Sequence, residues 1–516
     1  MYNAPFLDDN GRVDAVVKIP GSKSLTNRFL VLQALSKNPQ PINNALVSRD
    51  TELMRRALNC VIQNGDFSAQ VHADRLRLSA AHAQTRERVP KVSAARLTLR
   101  ESILDDTVQS ANTVKLINTG LAGTVMRFVP FVAALECGRF RFDGDEQARV
   151  RPMGPILDGL EQLGVSMVRE NGEFMPFVVQ GTGRIEGGEV KIDASSSSQF
   201  VSALLLCGAK FTKGLHLIHT GTKVPSMPHI DMTIECLKLA GVKAKRVDDK
   251  FEWIVEPGEI NLPAIDVEPD LSNAGPFLCA ALANPAGGQI SIPNWPKTTT
   301  QPGQYFPAIL EQMGAVVQNV PYRSQLQGTL DPNSRSRLSP QHFSLEETAS
   351  LAEKNFGGFP SVDFDMGHFG QLTDDGGNAM TIRSDGKIKG VELDLSAAGE
   401  IAPTVAALCA LAEGPSKLTG IGHLRGHETD RLQAIVNEIG KLGRSARIAD
   451  DGDGIEIDEM PSTGLIPTTI DSYNDHRMAT FGAIIGLRAH GCKVVNIETV
   501  GKTMPDFVQM WEGMLG

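Results

Sequence analysis

Six stretches of this 516-residue chain predict helices that are apolar almost all round: 22–36, 123–135, 196–208, 271–284, 398–414 and 474–491. Each opens with small or polar residues and ends near Gly or Asn. A helix of that kind must be buried on most faces. Behind each comes an amphipathic helix, starting near Asp50, Gly154, Pro228, Gln304, Glu428 and Met504, which places the two starts 28 to 33 residues apart. A short β-rich run separates the pair, as in FRFDGD, LHLIHTG and KVVNIETV. Six copies at near-constant spacing are a repeat signal. The unit reads strand, helix, strand, helix, then one or two strands. It predicts an α/β protein with helices inside and sheets around them. Two stretches break the pattern: 85–113, which is polar, and 320–392, which contains PNSRSRLSPQ and a Gly/Asp-rich tract. Both read as surface insertions without a catalytic role.

The polar residues of the repeat fall at one phase. In PGSKSLTNRFLVLQAL, Pro20 and Gly21 stop a strand, Ser22 can cap the helix, and Lys23, Ser24 and Arg28 occupy its first turns. Cations are unfavourable there, because the macrodipole is already positive, so an anion is needed to offset them. The second unit supplies Gly123, Thr124 and Arg127, then Arg151 in RVRPMG; the third supplies Ser197, Ser198, Gln199, Ser226 and His229. The fifth adds Glu400 and, in HLRGHETDR, His423, Arg425, His427, Glu428 and Arg431. The sixth adds Asn474, Asp475, His476, Arg477 and Lys502. The fourth, LSNAGPF after Asp270, is chemically the quietest.

Stacked in register, these helix starts converge on one region with eight Lys or Arg and two carboxylates. Such a site suits at least two anionic groups, because guanidinium forks match phosphate and carboxylate alike. Singly, each residue has a plainer reading. Arg127 can tie units together, Asn474 and Asp475 can be N-caps, and Ser226 can be a turn residue. Independent structural arginines would not keep falling at the same phase. Glu400 and Glu428 are the acid/base candidates, although cations hold a carboxylate ionised. Glu428 also stands three before Arg431 on what reads as one helix face, so an ion pair is its plain alternative.

A net charge of −10 excludes a broad nucleic-acid or acidic-membrane surface, so the anion site is a local basic patch on an acidic background. Seven scattered cysteines without a CxxC indicate neither a disulfide framework nor a zinc site, and five of them read as buried thiols. No signal peptide or membrane-length apolar run is visible. The chain reads as a cytoplasmic monomer acting on small molecules, with no metal, no nucleic acid and no membrane partner.

PGSKSLTNR, LAGTVMR, RPMG, SSSSQF, HETDR, YNDHRMA and GKTMPD, in this order, closely resemble the motifs of the 5-enolpyruvylshikimate-3-phosphate synthase family. The resemblance runs from about Val17 to the C-terminus. It implies an inside-out α/β barrel of two domains, three βαβαββ repeats each, closing on substrate. The crossings near Gly21 and Glu268 would divide the chain into 1–21 plus 269–516 and 22–268. It further implies a shikimate-pathway transferase of aromatic amino-acid biosynthesis, and a glyphosate target. Such an enzyme moves the enolpyruvyl group of phosphoenolpyruvate to the 5-hydroxyl of shikimate 3-phosphate, releases phosphate, and needs no cofactor.

By the same resemblance, Ser24, Arg28, Ser197, Ser198 and Ser226 would hold shikimate 3-phosphate. Lys23, Gly123, Arg151, Gln199, Arg431, Arg477 and Lys502 would hold phosphoenolpyruvate or its phosphate, with Thr124 and His476 alongside. Glu400 would take the 5-hydroxyl proton, Glu428 would protonate the methylene carbon, and Lys23 and Lys502 would join the catalytic set. The sequence departs from the commonest pattern at Leu121, where Asn is usual, and at Glu400, where Asp is usual. His229, His423 and His427 stand where Tyr, Asn and Lys are frequent. His427 could therefore contact substrate as a titrating cation, favoured by Glu428 and an anionic substrate, or as a neutral donor, favoured by Arg425 and Arg431.

Two alternatives make different demands. The UDP-N-acetylglucosamine enolpyruvyl transferases keep a reactive Cys in the loop that here reads GDEQARVRPMG, which has none. A non-catalytic anion-binding protein on the same repeat would have no need of both carboxylates with Arg151 and Lys502.

Overall fold

The structure is a computed structural model that describes residues 1–8, 11–62, 113–247, 250–321 and 378–516. The expected insertion at 85–113 lies outside the described residues except for Thr113. The other, 320–392, is shorter than expected. Asn378–Ser384 is a sheet strand paired residue by residue with Gly288–Pro293, and Glu392–Asp394 is a strand of the next sheet. The short buried run Ala379–Ile382 explains the strand; the Gly/Asp tract before it obscured its start.

All six apolar helices form: Lys23–Leu35, Gly123–Ala134, Ser198–Gly208, Leu271–Ala283, Ala402–Leu411 and His476–Gly486. Four start on side-chain caps. Ser22, Ser197, Asp270 and Asp475 each accept a hydrogen bond from a backbone N–H of the first turn. Helices inside and sheets outside follow from that apolar character. Every residue of Leu271–Ala283 and Ala402–Leu411 is buried, so neither helix has a face to offer water.

Four sheets share one order. Val114–Asn118 runs parallel to Cys137–Asp143, which pairs antiparallel with Phe174–Thr182, and that with Ser166–Asn171. The same order recurs in Gly188–Ile192, Leu215–His219, Glu252–Val255 and Ala244–Arg246, and in Glu392–Asp394, Ser416–Thr419, Ile455–Ile457 and Ala446–Ile448. In the fourth sheet the first strand is Val13–Val16, parallel to Gly288–Pro293, so the N-terminal residues complete a unit nearly three hundred positions later. Tyr2–Asn3 likewise closes the sixth unit by pairing with Lys493–Val494.

The apolar side chains form two separate cores. One runs from Leu25 to Val267 and packs Phe142 on Phe177 at 5.1 Å between ring centroids. The other joins Ala4–Ile19 to Leu271–Met514, with Phe277, Phe507 and Trp511 in mutual ring contact. Burying each such ring contributes about 2–3 kcal/mol. The chain passes between the cores at two adjacent points. Ser22 N–H donates to Glu268 O at 2.8 Å, and Asp270 N–H donates to Pro20 O at 2.9 Å. Gly21 pairs with Pro269 there, and a Cβ on it would lie 1.9 Å from the Asn44 carbonyl oxygen. Only glycine fits.

Candidate functional site

The helix starts of both cores converge on a cavity of about 130 Å³, adjoined by a more open one of about 510 Å³. One carboxylate links the two leading helices: Asp270 Oδ1 accepts from Asn273 N–H at 3.0 Å, and its Oδ2 accepts from Lys23 N–H at 3.1 Å. The Lys23 ammonium turns to Asp50 Oδ2, 3.3 Å away.

Arg28 is buried and makes its hydrogen bonds to neutral groups. Nε donates to Thr233 Oγ1 at 2.8 Å, Nη1 to Ser24 O at 2.9 Å, and Nη2 to His229 O at 2.8 Å. Burial pushes its pKa down to about 10. Arg127 is also buried; Nη1 donates to Gln199 Oε1 at 2.9 Å, and the guanidinium carbon lies 5.3 Å from the centre of the Phe200 ring. Burial first, then the charge of Arg151, pushes Arg127 well below its ordinary value. Arg151 is held down mainly by burial and donates to Leu121 O at 3.2 Å. None of these three forms an ion pair with a carboxylate among the described residues. Guanidiniums without a carboxylate partner, Arg28 and Arg151 on the first cavity and Arg127 with Arg151 on the second, are an arrangement that an anion would compensate.

Gly123 sits against Arg127 and Arg151. A Cβ there would lie 2.8 Å from Arg127 Nη1, 3.1 Å from Arg151 Nη2 and 3.1 Å from Gln199 Oε1. The third unit brings Ser197, Ser198 and Ser226 to the cavity wall, Ser226 with a left-handed φ of 53° at the helix start. Thr124 reaches the wall too and accepts from Asn27 Nδ2 at 2.9 Å.

The fifth and sixth units supply the carboxylates. Glu400 lies in the 3-10 turn Gly399–Ile401, before its helix. Its Oε2 is 2.7 Å from His229 Nε2, and its Oε1 accepts a short bond from Ser272 Oγ. Burial raises its pKa, but His229, Arg477 and Ser272 outweigh that and hold it well below the usual range. Glu428 Oε2 lies 3.3 Å from both His476 Nδ1 and Lys502 Nζ. Burial again works upward, and His476, Lys502 and Arg431 overcome it. Arg477 Nη1 donates to Ser272 O at 2.9 Å. Lys502 ends a 3-10 turn, Ile497–Lys502, and also donates to Asn474 O at 2.6 Å.

One expectation changes, and one open alternative narrows. Glu428 does not share a helix face with Arg431, because Asp430 is the N-cap and the helix starts at Arg431. Arg431 instead grips Asp475, freeing Glu428 for Lys502 and His476. For His427, whose charge the sequence leaves open, the surroundings favour the neutral ring: it is half-buried, Nδ1 faces Arg431 Nη1 at 3.5 Å, and desolvation, Arg431, His423, Arg151 and Arg127 all push its pKa well below 6.5.

Most residues singled out in the sequence line the first cavity, while Arg127 and Arg425 line the second; Lys502 reaches the first through Glu428, and Asn474 and Asp475 stand behind the wall, holding Lys502 and Arg431. Ser272 and Asp50, which the sequence did not mark for the site, belong with them. Ser272 went unmarked because its helix start carries no Lys, Arg or His, although it falls at the repeat's polar phase. Glu428, Asp475 and His476 offer atoms within 4.8 Å of one another, a spacing a metal ion could use. Asp475 is committed to Arg431 and to the Arg477 N–H, and Glu428 to Lys502, so a cation would have to displace them.

Residues 7–339 and 363–511 match the EPSP synthase (3-phosphoshikimate 1-carboxyvinyltransferase) family. The chain is 43% identical to a 3-phosphoshikimate 1-carboxyvinyltransferase of Kocuria rhizophila, covering 100% of this chain and 97% of that one. It is 40% identical to one of Bifidobacterium longum over 98% and 96% of the respective chains. In fold it is similar to EPSP synthase from Acinetobacter baumannii (TM-score 0.65, 19% identity, 100% of this chain and 98% of that chain). The enolpyruvyl transferase NikO from Streptomyces tendae is similar as well (TM-score 0.60, 15% identity, 98% and 96%). With the motifs in order, the repeat built and the cationic cavity assembled, the chain belongs to the EPSP synthase family.

Proposed function

We propose that this chain transfers the enolpyruvyl group of phosphoenolpyruvate to the 5-hydroxyl of shikimate 3-phosphate and releases phosphate. The observation that carries the reading is a pair of carboxylates, Glu400 and Glu428, on the wall of one cavity among cations drawn from both cores. Two acidic groups beside two anion subsites match an addition followed by an elimination.

Ser24, Arg28, Ser197, Ser198 and Ser226 take the sugar phosphate. Lys23, Gly123, Arg151, Gln199, Arg431, Arg477 and Lys502 take phosphoenolpyruvate, with Thr124, His427 and His476 completing the wall. Glu400, ionised, accepts the 5-hydroxyl proton as that oxygen attacks C2. Glu428 supplies a proton to the methylene carbon. It is ionised in the substrate-free site, and an arriving anion that shares Lys502 and Arg431 raises its pKa toward a donor's range. The tetrahedral adduct then collapses: C3 returns its proton to Glu428, the C–O bond to phosphate breaks, and the proton on Glu400 leaves with the phosphate. The fixed cations stabilise charge on the departing group.

The two cores support domains at 1–21 plus 269–516 and at 22–268, with substrates drawing the two together. No helix among the described residues is long and apolar enough to cross a membrane. We place the enzyme in the cytoplasm, acting as a monomer on these small molecules. Incubation with both substrates, followed by phosphate release and the mass of the product, tests the reaction. Phosphate release with either substrate alone, or none with both, would overturn it.

A further inference from the structure

Glu400 and His229 meet from opposite sides of the molecule. His229 stands near the start of Met227–Leu239, in the unit whose side chains build the core from Leu25 to Val267. Glu400 stands just before Ala402–Leu411 in the other core. Their side chains are 14% and 21% exposed, and Nε2 lies 2.7 Å from Oε2. A carboxylate can only accept, so Nε2 carries the hydrogen and donates it. The second oxygen of Glu400 is held by Ser272, from its own core. The backbone of His229 is anchored independently: its carbonyl accepts from Arg28 Nη2 at 2.8 Å and Thr233 Oγ1 at 2.9 Å.

We propose that His229 is a positioning residue for the base, aiming Glu400 at the 5-hydroxyl through a hydrogen bond that exists only while the two cores are apposed. The inference rests on the reaction proposed above. With one oxygen fixed by Ser272 and the other by His229, the carboxylate has a single orientation, and its remaining lone pairs face the cavity. When the cores separate, Glu400 keeps Ser272 alone and its aim is lost. Proton abstraction is thereby confined to the closed enzyme, where water cannot compete for the adduct. His229 passes no proton onward, since Nε2 already bears one.

Truncation is the direct test, and the carbonyl anchors of His229 do not depend on its ring. In His229→Ala, kcat should fall about 100-fold, the cost of a catalytic group displaced by about an ångström, while the Kd of shikimate 3-phosphate changes less than about threefold. His229→Gln can place an amide N–H toward Glu400 and should recover most of the loss. Equal loss in both variants, or a loss confined to affinity, overturns the proposal. A second readout needs no turnover. Infrared difference spectra against Glu400→Gln isolate the Glu400 carboxylate. Arg28, Arg431 and Arg477 also face it. Removing the His229 bond should raise its titration midpoint by about one pH unit or more, and an unmoved midpoint overturns the proposal. Absence of turnover in the wild type would count against the reaction, while the infrared measurement still decides the role of His229.

Discussion

Arg431 grips Asp475 through two nitrogens, Nε to Oδ2 at 2.8 Å and Nη2 to Oδ1 at 3.1 Å, with the side chains 3% and 0% exposed. The pair joins the fifth unit to the sixth. Asp475 also caps His476–Gly486 by accepting from Arg477 N–H at 2.8 Å. One carboxylate thus orders Arg431 and Arg477 together.

Asp475→Asn should be severely destabilising. It leaves a buried guanidinium unpaired, a loss of about 3–5 kcal/mol. Denaturant unfolding should show a lower midpoint at unchanged slope. A midpoint within error of wild type would mean that another acceptor takes over Arg431.

Glu428→Gln should abolish turnover while substrate affinity stays within a few-fold. The substitution keeps the shape and the contacts to Lys502 and His476 but removes the transferable proton. Because Arg431 pairs with Asp475 rather than Glu428, the variant should melt close to wild type. Collapse of binding together with early melting would show Glu428 to be structural.

His427 should contribute no pH dependence to the KM of shikimate 3-phosphate between mildly acidic and mildly alkaline pH. Its pKa in the folded enzyme is driven well below 6.5 by burial and by Arg431, His423, Arg151 and Arg127, so the ring is neutral across that range. Protonation, and any loss of affinity or stability tied to it, sets in only as pH falls below 6.5. His427→Lys should not improve KM, because it adds a fourth cation to Arg431, Arg151 and Arg127. A KM that weakens as pH rises through 6–8, and flattens in His427→Lys, would contradict a neutral His427.

Gly123→Ala should raise the KM for phosphoenolpyruvate more than that for shikimate 3-phosphate, and weaken competition by glyphosate in parallel. The new methyl intrudes on Arg127, Arg151 and Gln199 at 2.8–3.1 Å, while the Ser24 and Ser197 side of the cavity is untouched. Equal effects on both substrates would place the phosphoenolpyruvate site elsewhere.

The repeat was legible because burial on every face leaves a helix few sequences to choose from, and a shared phase exposed Lys23, Gly123, Gln199 and Arg477 together. Pairings between units were not. Lys23 with Asp50, His229 with Glu400, and Arg431 with Asp475 lie 27, 171 and 44 residues apart, and no local pattern links such partners. The helix start near Glu428 was misjudged for a local reason. HETDR offers Glu428, Thr429 and Asp430 in a row, and it is Asp430 that caps, accepting from Gln433 N–H at 3.1 Å. The charge state of His427 stayed open in the sequence because, besides Arg431 four residues on, it depends on burial and on Arg151 and Arg127, which folding brings near.

The placement of Val13–Val16 beside Gly288–Pro293 bears on how the chain is made. A ribosome releases residues in order, so the core from Leu25 to Val267 has all its parts in solution before Gly288 emerges. The first twenty residues then have no partner: their strand, and the Ala4 to Ile19 side chains, belong to a core not yet synthesised. They must stay unpaired, with apolar groups in water, until the second half arrives to receive them. Folding of the last core therefore closes a loop around a finished one, and a chain stopped near residue 270 would carry a completed core with an orphaned strand at its head.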